Sequence, residues 1–268
     1  MDYQLGIIGA GNMAEAMLRG VLDSNFLPHG SILAAEPRFE RRQMLTHELS
    51  VSCTDDNPAA AACPRVVLAV KPQMMGDVLD EIAPAIRNEA LVISIAAGVT
   101  AGWIDQRLGG RGRLVRVMPN TPMLVGAGIS AVAAGPRATA ADVEWTSRLV
   151  SAGGGSAVTV DESLMDAVTA VSGSGPAYFF YLVEAMIAAG VAEGLSLDVA
   201  TRLARETCLG AGKLLAVTGE PPEGLRARVT SPGGTTQRAI ETLDTAGVKD
   251  SLVAAVRAAA ARSRELGN

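Results

Sequence analysis

Near its start the chain reads Gly6-Ile7-Ile8-Gly9-Ala10-Gly11-Asn12-Met13-Ala14, and this segment indicates the fold of the first half. An apolar run over residues 3–8 leads into the glycines and predicts a buried strand. After the glycines, apolar side chains recur at helical spacing from Asn12 to Asp23, which predicts a helix. The stretch therefore combines a predicted strand, a glycine turn and a helix in immediate succession.

The glycine turn fits the G-x-G-x-x-G/A pattern of dinucleotide-binding folds. Gly9 would allow the tight turn, Gly11 would let a pyrophosphate approach the backbone, and Ala14 would let the helix pack closely on the sheet. Free N–H groups and the positive dipole end at a helix start favour phosphate binding. The pattern predicts a dinucleotide site; the alternative is a purely structural strand–helix turn in another α/β fold.

Strand and helix patterns continue to alternate through the first half. Strands are predicted at 31–35, 66–70, 91–95 and 114–117, and helices at 38–48, 73–87 and 100–108. The β-branched runs show no polar alternation, as expected of strands that are buried on both faces of a parallel sheet. We therefore expect an α/β fold with a Rossmann-type, doubly wound sheet over residues 1–158.

The second part, residues 159–268, shows no convincing strand. Helices are predicted at 161–170, 176–193, 198–218, 235–245 and 249–266, with Asp161 and Asp198 as N-caps. These helices are rich in alanine and carry few charges on several faces, so we expect those faces to be buried against another protein surface. We predict an all-helical dimerisation domain in a homodimer or a ring of dimers. The alternative is a monomer whose helices pack only on the first domain.

Composition excludes several classes of function. The chain has 23 basic and 28 acidic residues, a net charge of −5, no basic run and 3% aromatic residues, which argues against nucleic-acid binding. Cys53, Cys63 and Cys208 are scattered without metal-ligand spacing, as is typical of reduced thiols in a cytoplasmic protein. The apolar segment 177–191 contains Glu184 and is short for a bilayer, and no leader pattern opens the sequence. We expect no metal site and no membrane contact.

The end of the second predicted strand bears on the choice between NAD and NADP. It reads Ala34-Ala35-Glu36-Pro37-Arg38. An acid here can accept a hydrogen bond from a ribose 2′-OH and would repel a 2′-phosphate, whereas Arg38 and Arg42 would bind that phosphate. Alternatively, Glu36 is a solvated strand-end residue and the arginines form a solvated helix face. The signals conflict; NADP is favoured and NAD stays open.

A second glycine-containing turn precedes the helix predicted at 235–245. It reads Ser231-Pro232-Gly233-Gly234-Thr235-Thr236. Two glycines allow the backbone to curl so that successive N–H groups converge on an anion at the helix start. A substrate carboxylate would fit there without an arginine; the alternative is a simple turn with a threonine cap. The same two interpretations apply to Ser172-Gly173-Ser174-Gly175-Pro176, where Ser174 is the candidate substrate contact.

Six segments along the whole chain together resemble the pyrroline-5-carboxylate reductase family. They are the Gly6–Ala14 stretch, Ala69-Val70-Lys71-Pro72-Gln73, Ser94-Ile95-Ala96-Ala97-Gly98-Val99, Arg116-Val117-Met118-Pro119-Asn120-Thr121-Pro122, Val171-Ser172-Gly173-Ser174-Gly175-Pro176-Ala177-Tyr178 and Val229-Thr230-Ser231-Pro232-Gly233-Gly234-Thr235-Thr236. The last two are the most specific. The resemblance implies a Rossmann domain, a helical dimerisation domain, NAD(P)H as hydride donor, and reduction of 1-pyrroline-5-carboxylate to L-proline, the last step of proline biosynthesis.

The resemblance also implies positions for the ligands. The pyrophosphate loop would be Ile8, Gly9, Ala10, Gly11, Asn12 and Met13, with Asn57 near the adenosine ribose. The nicotinamide half would lie beside Ala69, Val70, Lys71 and Pro72 and beside Ile95, Ala96 and Ala97. The substrate loop would include Ser231 and Thr236. Because loops after Rossmann strands face the cofactor, Asn120 is a further candidate. Lys71 is otherwise an ordinary solvated lysine, and Glu36 departs from many relatives.

The reaction expected at these residues needs no side chain that donates a proton to the substrate. The only histidines, His29 and His47, fall on the periphery of the first domain, whereas ketone reduction usually requires a proton donor. A cyclic imine enters as a protonated iminium, so the protein mainly has to hold both reactants and exclude water. We hypothesise that the Thr236 hydroxyl contacts the ring nitrogen and that the amides of residues 233–236 hold the carboxylate.

Two other functions fit the same general architecture. A β-hydroxyacid dehydrogenase would use a lysine in its helical domain, but the surroundings of Lys213, the only mid-domain lysine, do not resemble that motif. A non-catalytic dinucleotide-binding regulator is the second alternative, and the intact glycines of the substrate loop argue mildly against it.

Overall fold

A computed structural model describes residues 3–266 of the chain, and its strands form one eight-stranded sheet. The strands are β1 Leu5–Ile8, β2 Ile32–Ala35, β3 Ser52–Thr54, β4 Arg65–Leu68, β5 Leu91–Ser94, β6 Arg113–Met118, β7 Ile129–Ala134 and β8 Ser156–Thr159. They are ordered β3-β2-β1-β4-β5-β6-β7-β8. All neighbours are parallel except the antiparallel pair β6–β7. The chain changes direction across the sheet between β1 and β4, where Rossmann folds bind their ligands.

The described residues also contain twelve α-helices. They are α1 Asn12–Asp23, α2 Phe39–Leu49, α3 Asn57–Ala61, α4 Met75–Ile82, α5 Ala101–Arg107, α6 Ala140–Ser151, α7 Met165–Val168, α8 Gly175–Ala192, α9 Leu197–Thr218, α10 Pro222–Arg228, α11 Thr235–Thr245 and α12 Val248–Leu266. Short 3-10 turns occupy His29–Ser31, Pro72–Met74, Thr121–Val125 and Glu162–Leu164, and a wide π-type turn spans Thr169–Gly173.

The predicted burial of the parallel strands is confirmed. Every residue of β1, β2 and β5 is buried. Successive side chains of a strand point to opposite faces, so Ile7 and Ile93 enter one apolar core while Ile8 and Leu68 enter a second. Helices cover both faces of the sheet, which confirms the doubly wound α/β class.

The chain divides into two compact units. The first runs through Ser174 and also takes in the chain from Ala259 onward, and the second is Gly175–Ala258. The second unit is entirely helical apart from its turns, in agreement with the predicted all-helical part. The predicted domain boundary between residues 158 and 159 stays a prediction.

Several predicted details are wrong, each for a local reason. Asp161 occupies the predicted N-cap position of the Glu162–Leu164 turn but makes no side-chain cap bond. Asp198 lies inside the first turn of α9, because Ser196 caps that helix by accepting from the Val199 amide. The helix predicted at 73–87 ends at Ile82. The strands β3, β7 and β8 and the helix α10 were not expected, since these segments are short or are rich in alanine and serine rather than in periodic large apolar residues.

The apolar helix α8 has its predicted bounds to within one residue, and shorter helical segments lead directly into it. We expected residues 177–191 to be too short for a bilayer, but helical conformation runs over Glu162–Ala192, 31 residues that are long and apolar enough to cross a membrane by length and composition alone. Only 6% of its most apolar window is buried. One such helix is weak evidence for a membrane span, and the expected lack of membrane contact stays a prediction. Within residues 3–266, the apolar surface of this helix is therefore largely uncovered.

A buried carboxylate joins α6 to the sheet. Asp142 accepts from Arg113 through both carboxylate oxygens, at 2.8 and 3.0 Å, and from the amide and hydroxyl of Thr139, which caps α6. Burial alone would raise the pKa of Asp142, but the hydrogen bonds from Arg113 and Thr139 outweigh it and lower the pKa to about 2.

Replacing Asp142 by asparagine should therefore destabilise the protein in a pH-dependent way. The pKa falls from the ordinary 3.8 to about 2 on folding, which corresponds to about 2 kcal/mol of unfolding free energy at pH 7. Because the folded-state pKa is the lower one, this stability is present above pH 4 and is lost as the pH falls towards 2. Urea unfolding at pH 7, 4 and 3 should show the difference between wild type and Asp142→Asn shrinking. Asp80→Asn, which removes an exposed pair with Arg107, should cost less than about 1 kcal/mol, and a pH-independent loss for Asp142→Asn would contradict the assignment.

Candidate active site

The glycine turn after β1 has the geometry that a pyrophosphate requires. Gly9 has φ +86°, and a Cβ there would lie 2.8 Å from Cγ1 of Val70, so the position admits only glycine. A Cβ on Gly11 would meet no atom within 4 Å. The backbone is thus open at Gly11, where a ligand would otherwise meet a side chain. Gly11 provides no side-chain cap for α1, which leaves the first amides of the helix available to an anion.

The other predicted cofactor loops border this turn on the same edge of the sheet. Strands β1, β4, β5 and β6 are parallel, so the loops that follow them emerge together. The loop after β4 is tied to β1 by a bond from the Ala69 amide to the Ile8 carbonyl at 2.8 Å, and the Ile95 amide donates to Leu68 at 3.1 Å. The structure thus brings the following predicted residues to one edge: Ile8, Gly9, Ala10, Gly11, Asn12, Met13, Ala69, Val70, Lys71, Pro72, Ile95, Ala96 and Ala97.

Two amide side chains predicted at the cofactor have structural partners instead. The side-chain oxygen of buried Asn120 accepts from the Ile129 amide at 2.9 Å and so braces the connection from β6 to β7. The side-chain nitrogen of Asn57, at the start of α3, donates to Glu81 at 2.8 Å. Contact of either residue with the cofactor stays a prediction. Lys71 is exposed.

Glu36, at the end of β2, is buried and engaged on both carboxylate oxygens. Oε2 accepts from the amide of Ala10 in the glycine turn at 3.2 Å, and Oε1 accepts from the amide and Nε of Arg38 at 3.2 and 2.7 Å. Burial would raise the pKa of Glu36, but the bonds from Arg38 and Ala10 lower it below its ordinary value. The interpretation of Glu36 as a solvated strand-end residue is therefore wrong.

The three neighbouring arginines differ in availability. Arg42 donates to the carbonyls of Glu36 and Pro37 and to Asp55. Arg41 donates to the Ala10 carbonyl at 2.8 Å. Arg38 alone extends outward, with 65% of its side chain exposed. Of the two arginines that we predicted as phosphate ligands, only Arg38 has its terminal nitrogens without a partner among residues 3–266.

The Ser231–Thr236 turn lies in the second unit and builds a helix start. The Gly234 amide donates to the Ser231 carbonyl at 3.0 Å and Gly233 has φ +72°; with Pro232 between them, this is the pattern of a type II turn. The Gly233 amide donates to the side chain of Gln237 at 2.7 Å. Two of the four amides that we assigned to a carboxylate are thus engaged inside the turn.

Free donors remain at the first residues of α11. In the described part of the chain, the amides of Thr235 and Thr236 have no acceptor. The hydroxyl of Ser231 lies close to this helix start: a Cβ on Gly234 would be 2.5 Å from its oxygen. A carboxylate here would meet two amides, hydroxyl groups and the positive end of an eleven-residue helix. Of the four amides expected to hold a carboxylate, those of Thr235 and Thr236 are available, and anion binding here stays a prediction.

Ser174 follows a feature that the sequence did not predict. Residues Thr169–Gly173 form a wide π-type turn, closed by a bond of 2.8 Å from the Ser174 amide to the Thr169 carbonyl. A Cβ on Gly173 would lie 2.5 Å from the terminal methyl group of Met118, so the turn packs against the end of β6. Single π-type turns often occur at functional sites, and this one carries the Ser172-Gly173-Ser174 motif.

A partly buried charge pair between β6 and the turn at Glu162–Leu164 was also missed. Arg116 on β6 pairs with Glu162 at 3.0 Å, and Glu162 also accepts from the Ala101 amide at 2.6 Å. The only sequence signal is an arginine within the apolar run of β6. The partner lies 46 positions away, a separation that periodicity does not reveal.

The fold and the site define a Rossmann-type, dinucleotide-dependent oxidoreductase with a helical second part. Residues 162–266 match the family described as Pyrroline-5-carboxylate reductase dimerisation, and residues 4–98 match NADP oxidoreductase coenzyme F420-dependent. The chain is 42% identical to the pyrroline-5-carboxylate reductase of Pseudomonas aeruginosa, over 98% of this chain and 96% of that one. It is 43% identical to that of a Synechocystis species, over 100% and 99%. The chain belongs to the pyrroline-5-carboxylate reductase family.

Solved structures agree with this assignment. A pyrroline-5-carboxylate reductase from Coxiella burnetii superposes with a TM-score of 0.92 at 33% identity and covers both chains completely. The Plasmodium falciparum pyrroline carboxylate reductase, solved with NADP bound, superposes with a TM-score of 0.89 at 29% identity over 100% of this chain and 99% of that one. The resemblance inferred from the six motifs is confirmed.

Alanine at the two loop glycines should separate ligand binding from folding. Gly11→Ala places its methyl group where no protein atom lies, so we expect an almost unchanged Tm and a dinucleotide Kd raised roughly tenfold or more. Gly9→Ala forces alanine into φ +86° against Val70, which should lower stability by about 1–3 kcal/mol. Thermal unfolding and calorimetric titration with NADPH measure both effects. Unimpaired NADPH binding by Gly11→Ala would remove this turn from the cofactor site.

Proposed function

We propose that this chain reduces 1-pyrroline-5-carboxylate to L-proline with a nicotinamide dinucleotide as hydride donor. The observation that carries the proposal is the 42% identity over 98% of the chain to a protein of that name. The open glycine turn and the helix start at Thr235 support it, since each fits one of the two anionic ligands. NADPH is the proposed cofactor and NADH the alternative, because the Plasmodium falciparum relative was solved with NADP.

The residues that would hold the cofactor are those of the glycine turn and of the loops after β4 and β5. The open face of Gly11 and the free amides at the start of α1 fit a pyrophosphate. When bound, NADPH supplies a hydride from C4 of its nicotinamide ring. The chain's own contribution is to orient the ring and to exclude water.

The protonation state of the substrate explains why the site needs no side chain that donates a proton. His29 is engaged by its Nδ1 with the Leu49 carbonyl at 2.8 Å, and His47 is exposed on α2. A protonated cyclic imine already carries its proton, so hydride addition to the C=N carbon leaves a neutral ring amine and requires no donor. The protein has to bind a carboxylate and stabilise the ring nitrogen, and we assign these tasks to the Thr235 and Thr236 amides and to the Thr236 hydroxyl.

The helical unit of this chain matches a dimerisation family, and we propose a homodimer, alone or as a ring of dimers. The surface of α8 supports a second copy as its occupant, because Phe179, Phe180, Tyr181 and Leu182 are each more than half exposed. Contiguous apolar surface of this kind marks protein interfaces. A cytoplasmic location is proposed from the three free cysteines.

Thr236→Val should lower kcat by about tenfold or more if the hydroxyl contact strengthens in the transition state. NADPH oxidation with pyrroline-5-carboxylate measures this. Thr236→Ser keeps the hydroxyl and should retain most of the activity. Unchanged kinetics in Thr236→Val would remove the hydroxyl from the mechanism. NADP⁺ reduction with 3-hydroxyisobutyrate and a sample without substrate test the dehydrogenase and the non-catalytic alternatives.

Phe180→Asp should convert the assembly to monomers, because a charge would have to be buried in an apolar interface. Sedimentation velocity at micromolar concentration measures the mass. Phe39→Asp is the matched control, since Phe39 is similarly exposed but lies on α2 of the first unit. An oligomer that survives Phe180→Asp would exclude this face of α8 from the interface.

A further inference from the structure

Glu36, the acid at the end of β2, lacks the features by which an acid at this position usually disfavours NADP. In Rossmann folds an acid at this point accepts from the ribose 2′-OH and repels the 2′-phosphate of NADP. That effect needs a carboxylate that faces the ribose with a free oxygen and an uncompensated charge. Glu36 meets neither condition: its side chain is 5% exposed, and both oxygens are engaged by Ala10 and Arg38.

We infer that Glu36 is a positioning residue that holds Arg38 for the 2′-phosphate and thereby favours NADPH over NADH. The inference rests on the proposed function, from which it takes the dinucleotide. The bond of 2.7 Å to Oε1 uses Nε of Arg38 and leaves the two terminal nitrogens of the guanidinium for a ligand. A guanidinium fixed at Nε presents these two donors as a pair, which matches two oxygens of a phosphate.

The charges around the pair favour the same assignment. Arg38 neutralises Glu36, so the approaching phosphate meets no net negative charge from the pair. Arg42 is held beside the pair by the carbonyls of Glu36 and Pro37, and its charge is balanced by Asp55 at 3.2 Å, so the main uncompensated donors for a phosphate are those of Arg38. Fixing Arg38 in advance also lowers the conformational entropy lost on binding. The glycine turn is positioned by the same carboxylate through Ala10, which places the pyrophosphate and the 2′-phosphate in a defined relation.

The two possible roles of Glu36 predict effects of opposite sign. If the carboxylate repels the 2′-phosphate, Glu36→Gln raises the preference for NADP ligands. If it holds Arg38, the same substitution lowers that preference. The bond to Ala10 acts on the pyrophosphate that both cofactors share, so its loss affects both affinities and cancels in their ratio.

Calorimetric titration with 2′,5′-ADP and with 5′-AMP tests the inference without the reaction, and the ratio of kcat/KM for NADPH and NADH repeats it on the working enzyme. We expect wild type to bind 2′,5′-ADP more tightly. Glu36→Gln should lower this preference about tenfold and Arg38→Ala at least as much, while the double variant should lose no more than Arg38→Ala. Glu40→Gln is the matched control for charge, because Glu40 is an exposed acid on α2 that acts on Arg38 only through its charge and makes no hydrogen bond to it.

The outcomes separate the inference from the proposed function. A raised preference for 2′,5′-ADP in Glu36→Gln, an unchanged one in Arg38→Ala, or tighter binding of 5′-AMP by wild type overturns the inference. Arg38 is on the surface, so Arg38→Ala keeps the test decisive even if Glu36→Gln lowers the Tm. Failure of wild type to oxidise either cofactor with pyrroline-5-carboxylate contradicts the proposed function instead, and leaves the nucleotide titrations readable.

Discussion

Close contact between backbones around β1 governs the geometry of the sheet edge that is proposed to bind the cofactor. A Cβ on Gly6 would lie 1.9 Å from the carbonyl oxygen of Ala60, and one on Gly9 would meet Val70 and Ala69. These two glycines let α3 and the loop after β4 approach the central strand without side chains between them. The glycine turn packs at Gly9 against Val70 and Ala69, whereas a Cβ on Gly11 would meet no protein atom within 4 Å. An open backbone on a rigid support is what a pyrophosphate site requires.

The proposed substrate loop, Ser231–Thr236, is supported in a different way. There the turn is local: Pro232 and Gly233 shape it, and Gln237, in the first turn of the helix that follows, accepts from the Gly233 amide. Because these bonds satisfy the amides of the turn, the donors left for an anion are those at the start of α11. The two proposed anion sites therefore share the chemistry of a helix N-terminus but are stabilised by distant packing in one case and by neighbouring residues in the other.

Much of this organisation was predictable from the sequence where it depends on periodicity or on glycine. The helices α1 and α11 have the predicted bounds, and β1, β2, β4, β5 and β6 lie where the apolar runs placed them. Three kinds of feature were not predictable. The strand β7 is rich in alanine, and the turn at Thr169–Gly173 differs from an α-helix only in its hydrogen bonding. Pairs such as Glu36 with Ala10, and Arg116 with Glu162, join residues 26 and 46 positions apart. Such pairs are set by tertiary packing, so the sequence left the role of Glu36 open.

The path of the last helix has a consequence for the topology of the chain. Although α12 begins in the second unit, its final turns belong to the first, where buried Ser263 donates to Asp166 at 2.6 Å. Topologically, Gly175–Ala258 is an insertion within another domain rather than a C-terminal appendage. A segment tethered at both ends has fewer unfolded conformations than a free tail and has no loose end from which to fray. The helices that carry the proposed substrate loop are thus tethered at both ends, and the Ser263–Asp166 hydrogen bond helps to fix the second tether.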